Sequence, residues 1–305
     1  MADEIILHHY DTSPFSEKVR LAFGLKGLAW RSVIQPSIMP KPDLIPLTGG
    51  YRRIPVMQVG ADVFCDTQAI LAEIERRAPT PALGGGLDFA VNLWADRLFF
   101  QPTVAVVFGA LGDSVPEAFI KDREALSGQR FNVAAMKAAA QPMKGQWRAQ
   151  ASWIEAELAR TGADWLGGAT PSLADAAAYM NVWFVETFVP PLFPELTAGL
   201  DRTLAWRERV RAIGHGERAE LSPQAALEIA RAAEPAVPVD NDKADPLGLE
   251  PGAKVFVMAD DYGRDRIEGR LVGANASRIA LDREDPAVGA VRLHFPRAGY
   301  VAGPA

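Results

Sequence analysis

The apolar positions of this chain change period repeatedly along its length. Ile5-Ile6-Leu7-His8-His9 begins with a short apolar run that reads as a strand. Ser13-Pro14 then opens a helix, because serine suits the cap and proline the first helical position. Phe15, Val19, Ala22 and Phe23 fall on one face of that helix, and Gly27 closes it. Trp30 to Ile34 reads as a second strand, and the proline- and glycine-rich stretch 35–53 as loop. Ile54–Val59 and Asp62–Cys65 form a strand pair around Gly60-Ala61, a two-residue turn with glycine first. Asp66-Thr67 caps a helix holding Ile70, Leu71 and Ile74. This order predicts one small mixed α/β domain over residues 1–80.

Pro79 to Gly86 reads as a linker, and the pattern beyond it is helical over 87–234. Trp94, Leu98 and Gln101 lead to Pro102, which should kink or end a helix. Trp147, Ala151, Ile154 and Leu158 repeat at helical spacing. Ser172-Leu173-Ala174-Asp175 places a carboxylate three residues after a cap, a variant of the capping box. Helices are expected near 173–188 and 202–213, and one more from Ser222-Pro223 to about Ala233. A second linker, Pro235 to Pro251, precedes a change to period two. Val255 and Val257, Ile279 and Leu281, and Val291, Leu293 and Phe295 alternate with other residues, and glycines punctuate the runs. Residues 246–305 therefore predict a small antiparallel β-module of about four strands. On this alternation His294 faces away from the module's core, toward solvent. The turn Asp260-Asp261-Tyr262-Gly263-Arg264-Asp265 lacks the ligand spacing of a calcium loop and reads as a hairpin turn.

Composition narrows the function. With 49% hydrophobic residues the chain can bury sizeable cores. A net charge of -6 argues against nucleic acid and against an anionic membrane surface. No apolar run is long enough to cross a bilayer, and the acidic start Met1-Ala2-Asp3-Glu4 does not read as a secretory signal. The single cysteine, Cys65, allows no internal disulfide and reads as a buried small hydrophobe, so a cytoplasmic protein is expected. The four scattered histidines suggest no metal site.

Three local features carry the chemistry: Ser13-Pro14-Phe15-Ser16-Glu17-Lys18-Val19-Arg20, Arg52-Arg53-Ile54-Pro55-Val56, and Asp66-Thr67 at a helix start. Trp165-Leu166-Gly167-Gly168 and Pro171-Ser172-Leu173-Ala174-Asp175 add a fourth downstream. Together they resemble the cytosolic glutathione transferases, especially the serine-type tau, theta and zeta classes, over about residues 4–215. The resemblance implies an α/β thioredoxin-like domain, then an all-α helical domain, with the β-module as an addition to which it gives no role. It implies glutathione as co-substrate, a small electrophilic and mostly apolar acceptor, and a homodimer.

It also implies roles by position. Ser13 takes the place of the catalytic hydroxyl, which donates to the glutathione thiolate. Tyr10 and Ser16 are the alternative hydroxyls. Position 13 is serine, so a cysteine-type reductase lacks its nucleophile. Pro55 matches a cis-proline that presents the backbone of Ile54 to the cysteinyl part. Thr67 matches the holder of the γ-glutamyl carboxylate, and Asp66 faces the γ-glutamyl ammonium. Arg53, and more loosely Lys41, match positions facing the glycyl carboxylate. Asp66-Thr67 departs from the usual Glu-Ser: threonine keeps the hydroxyl and aspartate is one carbon shorter. That departure, with the extra module, keeps a non-catalytic binding or assembly role as the alternative.

Overall fold

A computed structural model describes residues 4–305; the acidic start at 1–3 lies outside the described residues. The chain begins with β1 (Ile6–His9), α1 (Pro14–Lys26), β2 (Ala29–Ile34), the one-turn α2 (Ile45–Thr48), β3 (Val56–Val59), β4 (Asp62–Cys65) and α3 (Thr67–Arg77). β1 pairs in parallel with β2 and antiparallel with β3, and β3 pairs antiparallel with β4. This is the thioredoxin-like arrangement. Leu7, Val19, Phe23, Met57, Phe64 and Ile70 are buried between the sheet and helices α1 and α3.

The helical part runs through α4 (Gly86–Trp94), α5 (Phe100–Leu111), α6 (Glu117–Ser127), α7 (Val133–Thr161), α8 (Leu173–Phe188), α9 (Phe193–Thr197) and α10 (Asp201–Ala212). The residues that set the helical period of α7, Trp147, Ala151, Ile154 and Leu158, are its buried face. Pro102 does not end its helix. A π-helical turn, Ala95–Phe99, joins α4 to α5, and Pro102 sits in the first turn of α5. Proline cannot donate to the Leu98 carbonyl four residues back, and Gln150 Nε2 donates to that carbonyl at 3.1 Å instead. At α8, Ser172 Oγ accepts from Ala174 N, and Asp175 accepts from Ser172 N, Leu166 N and Trp206 Nε1 at 2.9, 2.8 and 2.7 Å. This buried carboxylate ties the Trp165–Gly168 turn and α10 to the start of α8. Gly167 is required there, since a Cβ would lie 2.8 Å from Ser172 Oγ.

After β5 (Glu217–Glu220) and α11 (Pro223–Arg231), the chain forms β6 (Lys254–Ala259), β7 (Ile267–Ala274), β8 (Arg278–Asp285), β9 (Gly289–Pro296) and β10 (Tyr300–Pro304). These strands extend the first sheet. β9 pairs in parallel with β4 through Val63 and Leu293, and β5 joins the opposite edge beside β2. Among the described residues one ten-stranded sheet runs β10-β6-β7-β8-β9-β4-β3-β1-β2-β5. Val255, Val257, Leu281, Leu293 and Phe295 share a core with Leu44, Leu47, Tyr51, Val56, Val63 and Cys65.

Two expectations need correction. His294 does point to the other face of β9, yet it is fully buried, because β9 lies inside the sheet and α3 covers that face. Its Nε2 pairs with Asp62 at 2.7 Å, and its ring stacks on Phe64 at 4.4 Å between centroids. The stretch 235–251 is also more than a connection. The Ala236 and Val237 amides donate to Asp62 at 2.7 and 3.0 Å, and Val237 is buried.

Candidate functional site

The site is built at the ends of helices. Ser13 is the N-cap of α1, with extended backbone at φ -82° and its Oγ accepting from Ser16 N at 3.2 Å. Its own amide donates to Tyr10 O at 3.1 Å, which folds the Tyr10–Ser13 segment into a tight turn. Ser13 lines a cleft of about 620 Å³ between the first domain and helices α5 to α8. Tyr10 and Arg123 line the same cleft. Burial raises the Tyr10 pKa, so at neutral pH the phenol keeps its proton. Ser16 is fully buried and lines neither this cleft nor its neighbour.

The second helix end is the start of α3. Asp66 caps it, with Oδ1 accepting from Gln68 N at 2.9 Å. Among the described residues Asp66 is the one non-glycine at positive φ, +80°. Such a backbone costs roughly 1–3 kcal/mol, and such residues cluster at functional sites. Thr67 is buried, and its Oγ1 donates to Asp96 Oδ2 at 3.4 Å. A small cavity of about 60 Å³ opens here, lined by Asp66, Thr67, Asp96, Tyr51, Tyr262 and Tyr300 among others. Arg53, Ile54 and Pro55 line it too, and the Ile54–Pro55 peptide is cis. Phe15, Arg53, Ile54 and Tyr262 line both cavities, so the two adjoin.

The structure thus brings together Ser13, Lys41, Arg53 and Ile54 on the cleft, and Arg53, Ile54, Pro55, Asp66 and Thr67 on the small cavity. The two basic groups expected at the glycyl carboxylate already have partners, as do Asp66 and Thr67. Arg53 Nη2 donates to Asp261 at 2.5 Å, and its guanidinium lies 4.2 Å from the centre of the Tyr262 ring. Lys41 is buried, and its Nζ donates to the Pro36 carbonyl. Burial, with Arg123 and Arg52 nearby, lowers the Lys41 pKa to about 8.

Sequence reasoning missed Asp96, Tyr51, Asp261, Tyr262 and Tyr300. Asp96 stands on the π-helical turn and accepts from Lys18 Nζ at 2.7 Å; Asn92 accepts from the same ammonium at 2.6 Å. This pair pins α1 to the helical part beneath the cavity. Burial pushes the Asp96 carboxyl up against the opposing pull of Lys18. Tyr300 donates to Asp66 Oδ2 at 3.1 Å, its oxygen is 3.2 Å from that of Tyr51, and Gln68 Nε2 donates to Ala298 O. The C-terminal strands therefore wall the small cavity with the β6–β7 turn and the segment before β10. Local signals for this were slight: an acidic turn with one tyrosine, and a Pro-Arg-Ala-Gly-Tyr strip. Among the described residues no cluster of metal-ligating side chains occurs, and no helix is long and apolar enough to cross a membrane.

A two-domain chain with a thioredoxin-like sheet, a helical partner and helix-capping groups around an interdomain cleft defines a glutathione S-transferase fold. Residues 7–82 match the family description "Glutathione S-transferase, N-terminal domain" and residues 137–209 "Glutathione S-transferase, C-terminal domain". A GST-like protein from Pseudomonas syringae is 37% identical and superposes with a TM-score of 0.81. That match covers 99% of this chain and all of the other, C-terminal strands included. The chain belongs to the glutathione S-transferase family. A glutathione S-transferase from Rhodospirillum rubrum shares the fold at 19% identity and TM-score 0.52, over 68% of this chain and 88% of that one. One from Methylobacterium radiotolerans, in complex with glutathione sulfonate, does so at 18% and 0.52, over 72% and 97%. No curated protein matches the sequence.

Proposed function

We propose that the protein binds glutathione and activates its thiol through Ser13 for attack on a small electrophile. The observation that carries this is the adjacency of two cavities. One holds the Ser13 hydroxyl at a helix N-terminus, the other the Asp66-Thr67 cap, and Ile54, just ahead of cis-Pro55, lines both. Glutathione has a thiol of pKa roughly 8.5, so the site must favour the anion. A hydroxyl donor and the positive end of α1 both do so. In this reading the γ-glutamyl end enters the small cavity, with Thr67 toward its carboxylate and Asp66 toward its ammonium. The Ile54 backbone meets the cysteinyl part, and Arg53 and Lys41 face the glycyl carboxylate. Residues 1–80 bind glutathione, 87–234 supply most of the acceptor wall, and 246–305 close the γ-glutamyl end. Homodimer formation and a cytoplasmic location complete the reading; a mass measurement in solution tests the first.

One observation favours the non-catalytic alternative. Asp261 and Tyr300 already engage Arg53 and Asp66, and the small cavity is tight. Calorimetric titration with glutathione separates the two. Binding with heat at millimolar ligand or below is expected, and its absence would overturn the enzyme reading.

A further inference from the structure

The cleft beside Ser13 has two unlike ends. Its body is apolar and largely aromatic: Phe15, Phe100, Val107, Phe108, Phe184 and Phe188 line it. Its other end is cationic. Lys41, Arg52, Arg53 and Arg123 all line it, and none of its described lining residues is acidic. The carboxylates that neutralise these cations lie outside that lining. Asp122 is shared, accepting from Arg52 at 2.8 Å and from Arg123 at 2.7 Å, and Asp261 takes Arg53. Asp265, near Arg52 and Arg53, has its carboxyl pushed up by burial. The Lys41 ammonium is bonded to a carbonyl.

Arg123 joins the two ends. Its guanidinium lies 4.3 Å from the centre of the Phe119 ring, and that ring stacks on Phe108 at 5.5 Å. Arg123 Nη2 donates to the Ser37 carbonyl at 3.0 Å, which holds the guanidinium against the first domain, where Tyr10 and Ser13 line the same cleft. The guanidinium and the hydroxyl assigned to the thiolate therefore line one cleft.

We infer that the acceptor is an aromatic carboxylate, its ring lying among the phenylalanines and its carboxylate on Arg123. This rests on the glutathione reading for the word acceptor, while the anion site stands by itself. A neutral acceptor of the same shape would desolvate Arg123 without replacing its water, which costs free energy. A carboxylate answers that guanidinium, whose Nη1 and Nη2 each keep a second N–H beyond their bonds to Asp122 and Ser37. Arg53, at the junction with the small cavity, and Lys41 are left for glutathione.

Matched probes test this: 4-chloro-3-nitrobenzoate against 4-chloro-3-nitrobenzamide, each normalised to its uncatalysed reaction with glutathione. In that reaction the S–C bond forms and the C–Cl bond breaks. Chloride leaves with the bonding electrons, and the thiol proton passes to solvent. The normalised kcat/KM should favour the benzoate by about tenfold or more, the size of one good charged contact. Arg123→Gln should collapse that preference, and Arg123→Lys should restore part of it. Calorimetry with unreactive 3-nitrobenzoate and 3-nitrobenzamide, without glutathione, is the second measurement. Tighter binding of the benzoate, lost in Arg123→Gln, supports the anion site even where no turnover is seen; that pattern would count against the transferase reading alone. Equal binding of the two, or a preference for the amide, overturns the inference.

Discussion

Acidification from about pH 7.5 to about pH 5 should destabilise this protein through two histidines on β1. His8 and His9 are both fully buried. His8 Nδ1 accepts from Gln35 Nε2 at 3.2 Å, and its Nε2 donates to Gln58 Oε1 at 2.9 Å. His9 Nδ1 accepts from Arg20 Nη1 at 3.1 Å, and its Nε2 donates to Ser32 Oγ at 3.0 Å. Each ring is held neutral with its proton on Nε2. A second proton would face an amide donor at His8 and a guanidinium at His9. Burial lowers the His8 pKa from 6.5 to about 4. Burial, reinforced by Arg20 and Arg218, lowers that of His9 to about 3. Both folded values lie below the unfolded one, so the unfolded chain binds more protons in between. The stability is complete above pH 6.5 and is lost as pH falls through 6.5 toward 4 and 3. Linkage gives roughly 2 kcal/mol per histidine at about pH 5, hence about 4 kcal/mol for the pair. That is a large part of the ~5–15 kcal/mol of a typical domain. Burial also raises the carboxyls of Asp96 and Asp175, which acts in the opposite direction as they take up protons. Urea unfolding followed by circular dichroism at the two pH values measures the total. His8→Gln isolates one share: less stable than the parent near neutrality, it should lose about 2 kcal/mol less on acidification. A parent change under about 1 kcal/mol, or an identical loss in His8→Gln, would refute the reasoning. Arg20 also donates to the Asp11 carbonyl, so the turn carrying Ser13 should loosen over the same range.

Three further outcomes are expected. Ser13→Ala should lower kcat about 10–100-fold by removing one donor to an anion, while calorimetry finds glutathione binding near the parent; unchanged turnover would move the role to Tyr10. The lost cap should also cost about 1 kcal/mol in the same urea assay. Asp175→Ala orphans the Leu166 and Ser172 amides and the Trp206 indole N–H, and should cost at least about 3 kcal/mol of unfolding free energy. Ending the chain after Asp245 should leave Val63, Cys65 and the β4 edge bare and abolish cooperative unfolding; a soluble, cooperatively folded product would show that the shared core is dispensable.

What the sequence determined by itself was local. Helix caps at Ser13, Asp66 and Ser172, the Gly60-Ala61 turn, the face of α7 and the alternation of β6, β8 and β9 are written in neighbouring residues, because capping and periodicity act over one or two turns. The tertiary structure decided whatever depended on which surfaces meet. His294 reads as a solvated strand position until β9 is found inside a sheet, under α3 and against Asp62. Tyr300 and Asp261 read as ordinary strand-end and turn residues. They become walls of the candidate site only because β9 pairs with β4 and carries the turns of the C-terminal strands over Asp66 and Arg53. Asp96 acquires its place from Lys18, and Arg123 from the Ser37 carbonyl, across the domain boundary. Such contacts join residues far apart in the chain. Their free energy comes from burial and charge pairing between surfaces that no local pattern of residues describes.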